Sequence, residues 1–204
     1  MNEVGGSYGG SGIVALINLL CKVDFLEIAK FVIEMSERKV SYYNILVQDR
    51  CRRCHFREAR DLLKEMRHFG CDPDAKTYNY LISNLCRNYR TTEACGVLEE
   101  MQEKGCSPNE LTFEILIYFS CQQRKLDFAS QLLDRMLSRG LQPRLSTHAA
   151  FIKGYFYSGQ YEAAYKYMIG AGTKCGHSIH VIYSLLASLH KKKGRSHCCQ
   201  KHSD

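Results

Sequence analysis

The chain repeats itself every 35 residues. Its three prolines, Pro73, Pro108 and Pro143, lie on that period, and so do Gly70, Gly105 and Gly140, and Met66, Met101 and Met136. Ala59, Ala94, Ala129 and Ala164 carry it through four units. Tyr43, Tyr78 and Phe113 keep an aromatic ring in register, and Cys51, Cys86 and Cys121 keep a thiol. Each unit of this length is one supersecondary element, too small to bury its own apolar face, so successive units must stack. The 204 residues hold about five units, above the roughly three that a continuous core needs.

Residues 75–109 show what one unit is. Tyr78, Leu81, Ile82, Leu85 and Cys86 form one apolar stripe at helical spacing, and Ala94, Val97, Leu98 and Met101 form a second. The polar stretch Asn88-Tyr89-Arg90-Thr91 separates them, and Gly105 with Pro108 closes the second. The spacing predicts a helix, a tight turn and an antiparallel helix. The expected fold is all-α, a right-handed α-solenoid of about five helix-turn-helix repeats.

The unit resembles the pentatricopeptide repeat in its 35-residue form, the P type, of a plant organellar RNA-binding family. The resemblance rests on Thr77-Tyr78-Asn79-x-Leu81-Ile82-x-x-Leu85-Cys86, on Glu93-Ala94, and on Glu99-Glu100-Met101-x-x-Lys104-Gly105-x-x-Pro108-Asn109. The competing tetratricopeptide pattern has a period of 34 and a Trp-Leu-Gly-Tyr signature. This chain has no Trp and no such register.

Along the chain, residues 1–12 are Gly/Ser-rich and read as a flexible tail without the Arg-rich character of an import presequence. Residues 13–39 form a degenerate short repeat, with Leu16, Ile17, Leu20 and Cys21 on its first helix and Ala29, Phe31, Val32 and Met35 on its second. Met35 and Met66 are 31 apart, so Glu37-Arg38-Lys39 is expected to make a tight junction without the Gly-x-x-Pro connector. Repeats follow at 40–74, 75–109 and 110–144, then a degenerate one at 145–178 whose second helix is expected to break at Gly170-Ala171-Gly172. A C-terminal helix at 179–193, a partial repeat or cap, and a basic tail at 194–204 complete the chain.

The resemblance implies where RNA would be read, one base per repeat. In the family, the fifth and last residues of a unit read the base and the second residues of neighbouring units sandwich it. These positions are Asn44 with Asp74, which the family's code associates with uracil, and Asn79 with Asn109, associated with a pyrimidine and more with cytosine. The next pair, Glu114 and Arg144, departs from the pattern and is expected to form a salt bridge instead, and Ala149 cannot hydrogen-bond. The sandwich positions hold Ser41, Lys76, Leu111 and Ser146. Only Leu111 has the usual aliphatic character, and Lys76 is suited to a phosphate. The plain alternative for an Asn near a helix start is a cap or solvated surface. Two readable units supply a few kcal/mol at best, at about 1–3 kcal/mol of discrimination per base.

Composition adds little against this. A net charge of +7 suits an anionic partner. The cysteine total of 11 is odd, and Cys21, Cys51, Cys86 and Cys121 fall on apolar stripes, where a thiol acts as a small hydrophobe in a reducing compartment. Cys51-x-x-Cys54 lacks a second pair to complete a zinc site, and His197-Cys198-Cys199 with His202 lies in the tail. No Walker loop, GxSxG, HExxH or deaminase signature occurs. The expectation is therefore a non-catalytic chain, with no cofactor, no metal and no membrane span, that binds single-stranded RNA with a pyrimidine preference at residues 40–109. By resemblance its work is organellar RNA processing, stability, splicing or translation, in the mitochondrion or else the chloroplast. The competing reading is a protein-interaction scaffold with other proteins as partners.

Overall fold

The computed structural model describes residues 8–175 and, beyond them, residues 180, 184, 185, 187–189 and 191. Among these there is no strand. Ten helices form five antiparallel hairpins, in two compact units that divide after Pro108. The first unit holds α1 (Tyr8–Lys22) and α2 (Leu26–Glu34), α3 (Val40–Arg52) and α4 (Phe56–His68), and α5 (Ala75–Arg87) and α6 (Thr91–Glu103). Within it α1, α3 and α5 pack side by side, each against its own second helix. The second unit holds α7 (Glu110–Gln122) with α8 (Leu126–Leu137), and α9 (Leu145–Tyr157) with α10 (Tyr161–Cys175), α7 packing on α9. None of the described helices is long and apolar enough to cross a membrane.

The turns explain the hairpins. Every first helix ends in the same motif, in which the amide two residues past its C-cap reaches back five residues: Phe25 to Leu20, His55 to Arg50, Arg90 to Leu85, Lys125 to Ser120 and Gln160 to Tyr155, each at 2.9 Å. The motif puts one residue in the left-handed region. That residue is Gly159 in the fifth hairpin, but Asp24, Cys54, Tyr89 and Arg124, with φ of 59–64°, in the others. These four side chains accept a conformation that favours glycine. The connectors between hairpins use glycine for the same purpose, at Gly70, Gly105 and Gly140, with φ of 69–77°.

The core is the periodic stripe. Tyr43, Leu46, Tyr78, Leu81, Phe113 and Leu116 are fully or almost fully buried, as are Met66, Met101 and Met136. Cys51, Cys86 and Cys121 lie in the same layer, none of them in a disulfide, and burial pushes the Cys51 and Cys121 thiols up to about 12. Cys54 is exposed. Alkylation of the native protein, followed by peptide mass spectrometry, is expected to label Cys54 rapidly. Cys51 and Cys121 should react only after denaturation, because the thiolate is the reactive form.

Three expectations need correction. The first helix begins at Tyr8, inside the stretch expected to be a flexible tail. In the first hairpin the buried residues are Ile17, Cys21, Ala29 and Ile33, whereas Leu16, Phe31 and Met35 are 42%, 57% and 73% exposed. Met35 is the C-cap of α2 and not the counterpart of Met66. The Cys21/Cys51 and Ala29/Ala59 pairs, 30 apart, give the true register, and most of the shortening lies in α2 itself, nine residues against thirteen in α4. Finally, α10 runs unbroken through Gly170, because burial of Ala171 and Met168 outweighs a glycine cost of about 1 kcal/mol. The basic tail at 194–204 lies outside the described residues. Of the C-terminal helix, Leu189 is buried against Ile152, Phe156, Ala164 and Met168.

Candidate nucleic-acid interface

The starts of α5 and α9 each bring together residues 30 apart in sequence. In the first unit Asp74 is the N-cap of α5. Its Oδ1 accepts from the Thr77 amide at 2.8 Å, while the Thr77 hydroxyl accepts from the Asp74 amide at 3.2 Å. This reciprocal box satisfies two amides that the helix leaves over. The same Thr77 hydroxyl lies 2.8 Å from Asp74 Oδ1 and 2.6 Å from Asn44 Oδ1, and Asn44 Nδ2 donates to Asp74 Oδ1 at 3.5 Å. The fifth residue of one repeat is thus tied, through a threonine, to the cap of the next helix.

This arrangement controls charge. Burial works against an ionised Asp74, but the Thr77 amide and hydroxyl, the Asn44 amide and the positive charge of Lys76 together hold its carboxyl below the usual range. A depressed carboxyl contributes its stabilisation above the unfolded value of about 3.9 and loses it as pH falls through the folded value. The three side-chain contacts all fall on Oδ1. Oδ2 therefore keeps its acceptor capacity.

Asn44 and Asn79 are each only 6% exposed. At the starts of α3 and α5, Ser41, Asp74 and Lys76 are exposed. In the second unit Asn109 caps α7 in the same way, accepting from the Thr112 amide at 3.0 Å and the Thr112 hydroxyl at 2.9 Å. Leu111 is 46% exposed and Ser146 is exposed. Glu114 Oε1 lies 3.5 Å from Arg144 Nε and accepts weakly from the Arg144 amide at 3.4 Å. The expected pairing of these two is therefore present, in the same 30-residue relation as Asn44 and Asp74. Arg144 provides no side-chain cap, and the Thr147 hydroxyl three residues on is buried with no hydrogen-bond partner.

In the sequence Thr77 is read only as part of the repeat motif and Thr112 not at all, and neither is assigned a role at the helix starts. Their signal was present as an Asp or Asn followed three residues later by Thr, a capping box with its residues in the reverse of the familiar order. Among the described residues, no group of three His, Cys, Asp or Glu side chains could hold a metal ion. Cys51 faces the core, while Cys54 contacts Asn88 Oδ1 at 3.4 Å. His197, Cys198, Cys199 and His202 lie outside the described residues.

Stacked helical hairpins with capped first helices define a helical-repeat protein. The family model for the PPR repeat family matches residues 38–87 and 76–122, and that for the PPR repeat matches residues 111–141. The chain belongs to the pentatricopeptide repeat (PPR) family. No curated protein matches it in sequence. Among solved structures it is similar to the pentatricopeptide repeat protein PPR10 from maize, with a TM-score of 0.73 and 17% identity over 93% of this chain and 28% of that chain. The same maize protein in complex with an 18-nt psaJ RNA element gives a TM-score of 0.63 and 20% identity, over 88% of this chain and 27% of that chain. The PPR domain of Arabidopsis thaliana protein-only RNase P 1, in complex with tRNA, gives 0.60 and 14% identity, over 88% of this chain and 99% of that domain. The chain therefore spans little more than a quarter of the maize protein, and at these identities the likeness shows the α-solenoid fold alone.

Proposed function

We propose that this chain binds single-stranded RNA without catalysing a reaction, reading pyrimidines at the repeats 40–74 and 75–109. The observation that carries the reading is the Asn44–Thr77–Asp74 network: two residues 30 apart, which the family uses as a pair, lie in contact at a helix start. Because Asn44 is nearly covered, Asp74 is the side chain that a base meets first. Asn44 and Thr77 hold its Oδ1 and leave Oδ2 to accept a hydrogen bond. Uracil offers an N3–H donor there, whereas cytosine presents a lone pair at N3, which a carboxylate repels. In the next repeat Asn79 and Asn109 carry amides, which donate as well as accept and so tolerate either pyrimidine. Lys76 supplies a phosphate contact, and Ser41 and Leu111 flank the bases.

PPR family membership and the similarity to RNA-bound PPR structures support RNA binding, and the reading extends to organellar RNA metabolism as part of the same proposal. A scaffold role remains the second reading, favoured by the Glu114–Arg144 pair, which occupies a reading position with a salt bridge.

Titration of short fluorescent RNAs at increasing salt tests it. Pyrimidine oligomers should bind better than purine ones, with affinity falling as salt rises. Asn79→Ala should weaken binding by about 1–3 kcal/mol. Equal affinity for all sequences, unchanged by Asn79→Ala, would support the scaffold instead.

A further inference from the structure

We propose that repeat 110–144 is a third reading repeat, of opposite polarity to the other two. Arg144 donates there to a base with two adjacent acceptors, as guanine and cytosine have and adenine and uracil lack. This rests on the RNA reading above and assigns a base class to a pair that reading leaves without one. Glu114, Arg144 and Thr147 stand where Asn44, Asp74 and Thr77 stand in the first unit, each 70 residues on.

The geometry turns the guanidinium outward. The Glu114 side chain is 11% exposed and that of Arg144 is 62% exposed. Glu114 Oε1 lies 3.5 Å from Arg144 Nε and 3.4 Å from the Arg144 amide. The carboxylate thus engages the backbone and the inner edge of the fork, and the two terminal nitrogens keep four N–H donors. Arg144 also forgoes the cap that its counterparts provide. Asp74 and Asn109 each accept from a threonine amide and hydroxyl. Arginine has no acceptor to offer. The Thr147 amide turns to the Arg144 carbonyl at 3.0 Å, and the Thr147 hydroxyl is buried with no partner among the described residues. A helix start that leaves a buried hydroxyl unmatched breaks the rule its neighbours keep, which is expected at a functional position.

The chemistry selects the base. A guanidinium only donates, and it does so in a fixed fork. Guanine sets O6 beside N7, the pair that arginine meets most often in duplexes. In a single strand the Watson–Crick edge is open as well, and there cytosine sets N3 beside O2. Adenine places its amino donor next to both N1 and N7. Uracil separates its two carbonyl oxygens by N3–H. Each of these two therefore offers the fork one acceptor. The plain competitor is a phosphate contact, which also accepts from arginine but carries no base preference.

Selection from random RNA with the 204-residue chain and two variants tests this. The unaltered chain should enrich guanine or cytosine over adenine and uracil by about fivefold or more at one position, and the base enriched there shows which of the two is read. Arg144→Lys keeps the charge and loses the fork. It should abolish that preference and leave the pyrimidine preferences of residues 40–109 in place, whereas a phosphate contact would survive it without altering any base. Glu114→Asn combined with Arg144→Asp rebuilds the Asn44–Thr77–Asp74 arrangement around Thr147. It should turn the same position to uracil with helical circular dichroism unchanged, and Arg144→Lys carries the test if the double variant does not fold. Pyrimidine positions without a guanine or cytosine position, or one that Arg144→Lys leaves unchanged, would overturn this assignment alone. Enrichment of no base at any position would overturn the RNA reading with it.

Discussion

Arg50→Ala should lower the stability of the first three hairpins by about 3 kcal/mol, with α1 and α2 the first elements to unfold. Arg50 is a charge in an apolar row. Its counterparts in the neighbouring repeats are Leu20 and Leu85, and its side chain is only 4% exposed. It is tolerated because three carboxylates surround it: Asp24 and Asp49 at 2.5 Å and Glu58 at 3.2 Å. Removing one member of such a group costs about 3–5 kcal/mol, since the partners are left uncompensated. Asp24 and Glu58 are half-exposed and solvent screens them, which places the expectation at the lower end. The Arg50 hydrogen bond holds the Asp24 carboxyl below its usual range. Its contribution is complete above about pH 4 and disappears as pH falls through the lower folded value. Urea unfolding followed by circular dichroism, with hydrogen exchange to locate the opening, checks the result. Arg50→Leu combined with Asp49→Asn should recover much of the loss, because a matched apolar residue then fills the row.

Gly154→Val should cost about 2 kcal/mol, and Leu126→Ala should relieve part of it. Gly154 lies on α9 facing α7. A Cβ built there would lie 2.7 Å from Leu126 Cδ2, 3.2 Å from the Cys121 carbonyl oxygen and 3.3 Å from Cys121 Cβ. The leucine end can move, but the α7 backbone cannot without shifting the helix. Overpacking of this kind typically costs about 1–3 kcal/mol. Leu126 is 6% exposed and occupies the space that the glycine leaves, so the two residues are a matched pair. A double-mutant cycle on thermal or urea melts should give a coupling of about 1 kcal/mol or more. Strict additivity would mean that the two sites do not share this space.

The hairpins were legible because stacking imposes one pattern on every repeat, so the Met66/Met101/Met136 row and the Gly70/Gly105/Gly140 row appear as plain arithmetic. The turns inside the hairpins were less marked. Four of the five left-handed residues are Asp24, Cys54, Tyr89 and Arg124, none of which signals a turn as glycine would. In the first hairpin, matching Met35 to Met66 misplaced the register by one residue, and one residue on a helix moves a side chain by about 100°. Phe31 and Met35 were read as core for that reason. The charge on Arg50 is invisible as a core residue until Asp24, 26 positions earlier, is seen beside it. At the candidate interface the sequence identified Asn44 and Asp74, but not the threonine between them or the burial of Asn44. Both depend on how the following helix start packs, which periodicity does not encode.

The most direct test is a change of base preference. Asp74→Asn converts the Asn44–Asp74 pair into the Asn–Asn combination of the following repeat while keeping a side chain that can cap α5. Selection from random RNA with both proteins should show one position shifting from uracil toward cytosine, with the neighbouring positions unchanged. If that position is the same for both proteins, or if neither enriches any base, then Asp74 is only a helix cap and the repeats do not read RNA through it.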